Sequence, residues 1–303
     1  MGDAYHKFLA RHPGRGLDLG GGLNYHYLDE GEGEPVVMVH GNPSWSFYYR
    51  RLAEELSADY RVVVPDHVGC GRSSKPEDDR YEYTLESRVR DLETLLDHLG
   101  LDGGLTLVMH DWGGAVAMAF AARHPERIAR LVVLNTAAFH LPATKAFPWP
   151  LWVCRDSLLG AWMVRGLNAF CRGTAFIGCK RTTMPKDVRQ GYLAPYDSWA
   201  HRIAVHRFVQ DIPLRAGDRS YDLVTFTQDR LSLFDETPML IGWGLRDFVF
   251  DRHFLDEWER RFPKAEVHRF PDAGHYILED EYERLIPLVR SFLAAHPVLR
   301  VEA

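Results

Sequence analysis

Short apolar runs alternate with longer helical patterns along this chain, and that alternation limits its fold more than any other feature. Five strand-like runs occur in the first half, at residues 23–28, 36–40, 61–65, 105–109 and 130–134. Between them, a helical pattern after Thr84 repeats Leu or Val every three to four residues and stops at Gly100. Continuous apolar strands separated by helices are typical of a parallel sheet that is covered on both faces. We therefore predict an α/β chain with a mostly parallel central sheet flanked by helices.

The alternation stops in the middle of the chain. A stretch rich in Trp, Phe, Pro and Arg follows the fifth run, with helical patterns but no clear strand pattern. Strand patterns resume at residues 239–243 and 266–270, and the chain closes with a helical pattern over 281–296. An interruption of roughly 85–100 residues is too long for an ordinary connection in such a fold. We predict a core formed by residues 1–137 and 223–303, with an inserted helical cap at 138–222.

Composition and charge exclude several classes of protein. Among 303 residues, 36 Lys and Arg stand against 42 Asp and Glu, and the net charge of −6 favours neither nucleic acid nor anionic lipid as a partner. No apolar run approaches the roughly 18 residues of a membrane span, and residues 1–11 lack the apolar stretch of a secretory signal. The four cysteines have no CxxC spacing, which fits a reducing compartment. We expect a cytoplasmic globular protein.

The segment at residues 108–114, Val-Met-His-Asp-Trp-Gly-Gly, contains the first candidate for chemistry. A buried strand is predicted to end here, and Asp111 stands on a sharp turn before a helix that begins with two glycines. This is the context of a nucleophile elbow, although Asp replaces the usual Ser and Met109 replaces the usual first glycine. The glycines permit close packing, and the helix N-terminus offers N–H groups to an anion. The alternative is that Asp111 only caps the helix.

Two further polar residues follow the last two predicted strands. Asp247 comes after the strand at 239–243, and His275 comes after the strand at 266–270. The chain order Asp111, Asp247, His275 is the nucleophile–acid–base order of a catalytic triad. Three suitable residue types after three suitable strands predict a triad at one edge of the sheet. Asp251 is a nearby competitor for the position of the acid.

Three motifs together resemble the haloalkane dehalogenase branch of the α/β-hydrolase fold over nearly the full chain. They are HGNP at residues 40–43, DxxGxGxS at 66–73 and HDWG at 110–113. The resemblance implies that Asp111 is the nucleophile, His275 the base and Asp247 its orienting acid. It also implies that the side-chain N–H groups of Trp112 and Asn42 hold the leaving halide, with no cofactor and no metal. Some members have the acid after the preceding strand, which here is near Asn135.

The chemistry of the nucleophile agrees with this resemblance. A carboxylate suits displacement at a saturated carbon, and the product of that step is an alkyl ester of Asp111. Water activated by His275 can then attack the carbonyl carbon of the ester. The resulting oxyanion would be held by the backbone N–H groups of Trp112 and Asn42.

A narrower resemblance concerns the substrate. Several segments are similar to the third dehalogenase subfamily: HGNPSWSFYYR, VPDHVGCG, LNTAAFHLPA, APYDSWAHRI, QDIPL and GWGLRDFVFD. Many members resemble the β-lactone decarboxylase of bacterial long-chain olefin biosynthesis, in which the same aspartate opens a cis-β-lactone that loses carbon dioxide to give a cis-alkene. The resemblance implies a small apolar substrate, either a β-lactone or a haloalkane. It also implies a homo-oligomer or an assembly with enzymes of the olefin pathway.

Three other functions remain open at this point. A hydrolytic haloalkane dehalogenase would use the same residues and release alcohol and halide. An epoxide hydrolase also has an elbow Asp followed by Trp, but Asn42 stands where that family carries an aromatic residue, and neither Tyr192 nor Tyr196 lies in a recognisable motif. A non-catalytic ligand-binding member of the fold would carry a vestigial site.

The cap is expected to set the size of the substrate. It contains enough large apolar side chains to line a channel, or to pack the cap on the core: Trp149, Trp152, Trp162, Met163, Phe170 and Phe176. Its two histidines, His201 and His206, are five residues apart and do not match a metal motif. Cys70 has no feature of a nucleophile.

Overall fold

The computed structural model describes residues 2–298, and within them the chain forms eight strands and thirteen α-helices. The strands are β1 Arg15–Asp18, β2 Asn24–Glu30, β3 Pro35–Val39, β4 Arg61–Pro65, β5 Leu105–Asp111, β6 Ile128–Thr136, β7 Met239–Gly244 and β8 Glu266–Phe270. The helices are α1 Asp3–Arg11, α2 Arg50–Leu56, α3 Leu85–His98, α4 Trp112–Arg123, α5 Trp149–Asp156, α6 Leu158–Ala161, α7 Ala169–Ile177, α8 Lys186–Leu193, α9 Ile203–Gln210, α10 Tyr221–Gln228, α11 Arg252–Arg261, α12 Ile277–Asp280 and α13 Tyr282–Ala295. Short 3₁₀ turns lie at Ser46–Tyr49, Pro125–Arg127, Ala200–Arg202 and Leu231–Phe234, and a π-turn at Trp162–Gly166.

The strands form one sheet in the order β1-β2-β4-β3-β5-β6-β7-β8. The pairs β1–β2 and β2–β4 are antiparallel, and all later pairs are parallel. Because parallel strands point the same way, β5, β6, β7 and β8 all end at one edge of the sheet. The loops that follow these strands therefore meet there.

The burial of the strands explains why the apolar runs predicted them. Every residue of β5 and β7 is buried, as expected for strands with helices on both faces. The predicted mostly parallel sheet flanked by helices is confirmed. Thr84 caps α3 as expected, with its side chain accepting a hydrogen bond from the Ser87 N–H. The elements α1 and β1 were not predicted, because β1 is short and largely exposed and carries little apolar signal.

The strands β6 and β7 are neighbours in the sheet. Between them, the described chain contains helices and loops but no strand. The insertion thus interrupts a connection that could otherwise be short, as the sequence predicts. The helix α10 packs against α4 of the core. The division at residues 137/138 and 222/223 remains our proposal for the domain boundaries.

Two further features of residues 2–298 bear on the expectations from composition. In this range, every helix is too short or too polar to cross a bilayer. All four cysteines are buried and reduced, and burial raises the pKa of the Cys70 thiol to about 11. Cys70 is therefore a protonated core residue rather than a nucleophile.

Candidate active site

Asp111 stands on a strained turn between β5 and α4. Its backbone has φ 53° and ψ −128°, a region that side chains other than glycine rarely adopt. The turn is closed by Gly113, where an added Cβ would lie 1.9 Å from the Val39 carbonyl oxygen. The helix can start this near β3 only because residue 113 has no side chain. The geometry is that of a nucleophile elbow carrying a carboxylate.

Backbone N–H groups hold that carboxylate. The Asn42 N–H donates to Oδ1 of Asp111 at 2.6 Å, and the Trp112 N–H also stabilises the carboxylate. The loop can approach this closely because Gly41 has no side chain. An added Cβ at this position would lie 2.1 Å from the same oxygen. These N–H groups come from the loop after β3 and from the start of α4. This is the position that the sequence predicts for the oxyanion hole of an Asp111 ester, and that role stays a prediction.

The loops after β7 and β8 bring Asp247 and His275 together. Nδ1 of His275 lies 2.8 Å from Oδ2 of Asp247, and both side chains are buried. The Asn135 side-chain amide also donates to Oδ2 at 3.0 Å, and the Val249 N–H donates to Oδ1 at 2.7 Å. With both carboxylate oxygens bonded, Asp247 is held in one orientation, and it fixes the ring of His275 in turn.

Nε2 of His275 points toward Asp111 and lies 3.7 Å from its Oδ2. Burial opposes the charging of His275, but the carboxylates of Asp247 and Asp111 outweigh it and raise the pKa of the imidazole. Burial also raises the pKa of Asp111, and the nearby His275 and the two backbone N–H groups offset only part of that effect. Because 3.7 Å is longer than a hydrogen bond, Nε2 of His275 and Oδ2 of Asp111 are not bonded to each other, and each can contact a third reactant.

Two supporting residues were not recognised from the sequence. Asn135, at φ 35°, also bonds the backbone of Gly244, so it joins the ends of β6 and β7 beneath Asp247. His110 donates from Nε2 to the carbonyl of His275 at 2.8 Å, and burial keeps the pKa of His110 well below 6.5. In the sequence, both residues are recognisable only as polar residues at the end of a buried apolar strand.

The groups expected to hold a leaving anion lie at the same point. Trp112 borders the cavity, and its indole N–H has no hydrogen-bond partner in the part of the chain that the structure describes. The Asn42 side-chain amide donates to the Val205 carbonyl of α9 at 3.1 Å. An amide carries two N–H groups, so one remains for a ligand. Asn42 therefore also ties the core to the cap.

A largely apolar cavity opens from Asp111, Trp112 and His275 between the core and the cap. Its apolar walls come from both parts of the chain, among them Phe139, Phe147, Leu151, Phe170, Val209 and Phe250. Of the cap side chains proposed from the sequence, Phe170 lines this cavity. A pocket of this kind accepts an apolar molecule and directs it at one carboxylate.

The expectation was wrong for four of the other large cap residues. Trp149, Trp152, Trp162 and Phe176 are exposed, so they neither line the cavity nor pack the cap on the core. The sequence shows that these residues are apolar, but only the tertiary structure decides which side of a cap helix faces the cavity.

Other candidates lie outside this constellation. Asp251 caps α11 and pairs with Lys145. The Tyr192 hydroxyl donates to Glu279 at 2.6 Å, and the Tyr196 hydroxyl donates to the Ser44 carbonyl at 3.0 Å, both outside the cavity wall. Among residues 2–298, there is no group of three His, Cys, Asp or Glu side chains suited to a metal.

Comparisons with known proteins agree with this architecture. Residues 34–282 match the family model of the alpha/beta hydrolase fold, and the chain belongs to that family. Its relatives include the cis-3-alkyl-4-alkyloxetan-2-one decarboxylases of Shewanella oneidensis (54% identity over 93% of this chain and 88% of the relative) and Xanthomonas campestris (48% over 93% and 96%). An oxetan-2-one is a β-lactone, so the predicted resemblance to a β-lactone decarboxylase is confirmed.

A solved structure extends the comparison to the fold. The haloalkane dehalogenase DatA of Agrobacterium tumefaciens superposes with a TM-score of 0.82 at 24% identity, covering 93% of this chain and 97% of that one. At this identity, the likeness concerns the fold alone.

Proposed function

We propose that this chain is a cis-β-lactone decarboxylase that acts through a covalent ester of Asp111. The observation that carries the proposal is the elbow carboxylate, bonded by the Asn42 N–H at 2.6 Å and bordering an apolar cavity. The identity of 54% with a cis-3-alkyl-4-alkyloxetan-2-one decarboxylase supports the same substrate class. The chemistry needs an apolar pocket for the alkyl chains, a nucleophile and an anion site, and each has a candidate here.

The first step is a displacement at the ring carbon that carries the alkoxy oxygen. An oxygen of Asp111 bonds to this carbon, the ring C–O bond breaks, and its electron pair stays on what becomes a free carboxylate. The ring opens with inversion at the attacked carbon. The Trp112 indole N–H and the remaining Asn42 amide hydrogen can stabilise the new anion.

The second step returns the enzyme to its starting state. The C–CO₂ bond breaks, its electrons form the double bond, and the Asp111 carboxylate departs with the electrons of the ester C–O bond. The products are an alkene and carbon dioxide, and no water is consumed. Inversion followed by an anti elimination retains the cis relationship of the two alkyl chains. The backbone N–H groups of Asn42 and Trp112 stabilise the departing carboxylate of Asp111.

The His275–Asp247 pair favours hydrolytic dehalogenation as a second candidate activity. The decarboxylation does not require a base, whereas hydrolysis of an alkyl-Asp111 ester requires one to activate water. Nε2 of His275 lies 3.7 Å from Oδ2 of Asp111, beyond hydrogen-bond distance, so it is free to accept a proton from a water that attacks the ester. Haloalkanes would then form the same kind of ester, and water would cleave it.

The remaining alternatives have less support. Epoxide opening needs an acid at the epoxide oxygen, but Tyr192 and Tyr196 are bonded elsewhere. A vestigial site would not need the three hydrogen bonds that orient Asp247. A cytoplasmic location and an assembly with other olefin-pathway enzymes remain predictions from the resemblance.

Incubation with a synthetic cis-3,4-dialkyl-β-lactone tests the proposal. We expect stoichiometric cis-alkene and carbon dioxide from the unaltered protein, and none above the uncatalysed rate from Asp111→Ala. Asp251→Asn serves as the matched control, because Asp251 is a carboxylate outside the site. Halide release from 1-bromoalkanes without any alkene from lactones would assign the protein to the dehalogenases instead.

A further inference from the structure

Exposed large apolar side chains are concentrated in the cap. Within residues 2–298 there are eleven such side chains, and nine of them lie between residues 149 and 199, with Leu158 exposed by 88% and Trp149 by 76%. Single exposed apolar residues are ordinary on protein surfaces, but a cluster of this size marks a surface that binds something. Seven of them form what we call the cap apolar face: Trp149, Trp152, Leu158, Leu159, Trp162, Leu167 and Trp199.

Local geometry brings members of this face together. Trp149 and Trp152 are one turn apart on α5, and Leu158 and Trp162 are one turn apart in the next helical segment. The π-turn bonds the Leu167 N–H to the Trp162 carbonyl, so Leu167 follows Trp162 along the same side. The rings of Trp162 and Trp199 are 6.2 Å apart. Leu158 and Trp199 also border one shallow surface hollow.

The charge of the cap is opposite to that of the rest of the chain. Residues 138–222 carry 12 Lys and Arg against 6 Asp and Glu, which leaves 24 against 36 in the remainder. The cap is therefore at +6 and the core at −12, a division that the net charge of −6 conceals. Two of the exposed cations, Arg172 and Lys186, form no ion pair with any residue from 2 to 298. The expectation that anionic lipid is not favoured was based on the net charge of the whole chain and did not consider the cap separately.

The combination of residues fits a lipid surface better than a second copy of the chain. Trp side chains are favoured at the boundary between lipid headgroups and acyl chains, and Arg and Lys beside them are attracted to anionic headgroups. The Arg189 guanidinium lies 4.4 Å from the exposed ring of Phe176, a cap residue outside the face, whereas Arg165, 4.8 Å from the Trp199 ring, is buried and pairs with Glu77. Four cap cations, Lys145, Arg165, Arg181 and Arg207, pair with carboxylates of the core, so the charge left for a partner comes from cations such as Arg172 and Lys186. Two caps facing each other would bring these like charges together.

We propose that the cap apolar face docks the enzyme on an anionic lipid bilayer. The helix α5 links this face to the cavity, because Leu151 lines the cavity while Trp149 and Trp152 are exposed on the outside. A substrate with long alkyl chains dissolves in a bilayer rather than in water, so docking would supply it directly to the cap. The docking proposal depends only on the residues of the cap apolar face. The proposal that the bilayer supplies the substrate depends also on the proposed function.

Vesicle flotation with the full chain tests the docking. We expect the protein to float with vesicles of phosphatidylglycerol and phosphatidylcholine at a 3:7 ratio, and to bind pure phosphatidylcholine roughly tenfold more weakly. Binding in 0.5 M salt should fall, because salt screens the headgroup attraction. The variant Trp149→Ser/Trp152→Ser/Trp162→Ser should lose roughly tenfold or more in binding, since three interfacial side chains are removed.

Leu233→Ser is the matched control, because Leu233 is exposed by 55% outside the cap and should leave binding unchanged. No flotation of the unaltered protein, or an equal loss in the control, would overturn the proposal. A different result is that the unaltered protein does not bind vesicles while the triple variant differs from it in oligomeric state. That result would identify the cap apolar face as a protein interface. Alkene formation from a short, water-soluble β-lactone, measured on the same variants, reports separately on the proposed function.

Discussion

The strand ends of the core and the helices of the cap face the same cavity, but their side chains are organised in opposite ways. At the strand ends, the charged groups are buried and held by hydrogen bonds, three of them to Asp247 and one from the Asn42 N–H to Asp111. In the cap, Leu151 and Phe170 line the cavity while the tryptophans lie on the outside. We infer from this difference that the core carries out the reaction, whereas the cap selects the molecules that reach it.

The first way to test this division is to alter the acid of the core. Asp247→Asn should lower the rate of bromoalkane hydrolysis about 10³-fold, because His275 loses the carboxylate that orients it and stabilises its charge. Steady-state halide release measures this loss. Asp251→Asn should change the rate by less than about twofold, since that residue contacts Lys145 instead. Equal losses in the two variants would remove the distinction between the two acids.

The pH dependence separates the two reactions of the core. Burial raises the pKa of Asp111 above 3.8, so attack by its carboxylate is lost as the pH falls through that raised value. The pKa of His275 is raised above 6.5 because Asp247 and Asp111 outweigh the burial of the ring. Hydrolysis needs neutral His275, so its rate should fall about tenfold per pH unit below that raised value.

Alkene formation from a β-lactone needs no base and should therefore persist at pH values where ester hydrolysis has already declined. Parallel pH–rate profiles of alkene and halide release measure the separation. Identical acid limbs for the two reactions would show that His275 acts as a base in both, against the decarboxylation route proposed here.

A matched pair of phenylalanines tests the cap. Phe170→Ala removes part of the cavity wall and should lower kcat/KM for a long-chain substrate roughly tenfold, because apolar contact with the substrate is lost. Phe176→Ala, at an exposed position on the same helix, should leave kcat/KM for the same substrate within about twofold. A larger effect at residue 176 with that substrate would mean that the cavity reaches a side chain that the structure exposes.

The smallest expected effect concerns stability. Trp152→Ser should change the free energy of unfolding by no more than about 0.5 kcal/mol, because an exposed side chain loses little packing when it is truncated. Urea denaturation followed by circular dichroism measures it. A loss above about 2 kcal/mol would mean that Trp152 packs on the protein rather than facing outward.

The same contrast explains what could be predicted from the sequence. Strand β4 was predicted to the residue, because a continuous apolar run bounded by turns leaves few alternatives. The bounds of β8 also match, although its residues Glu-Val-His-Arg-Phe alternate between apolar and polar. Asp111, Asp247 and His275 follow strand ends, and parallel strands bring those ends together whatever the details of the loops.

The supporting contacts and the orientation of the cap were beyond sequence reasoning. Asn135 was considered only as a position that lacks an acid, and its bond to Asp247 depends on a backbone conformation with φ 35°. Trp162 and Phe170 look alike in the sequence, but one is exposed and the other lines the cavity. Their orientation depends on contacts between distant segments, which a local pattern does not encode.

Mass spectrometry of the His275→Ala variant tests the central claim most directly. Without its base, the variant should still attack a 1-bromoalkane through Asp111 but should not hydrolyse the ester. We predict a mass increase equal to one alkyl group, on the peptide that contains Asp111. An unmodified protein, or an alkyl group on any other residue, together with undiminished turnover by Asp111→Ala, would contradict the account.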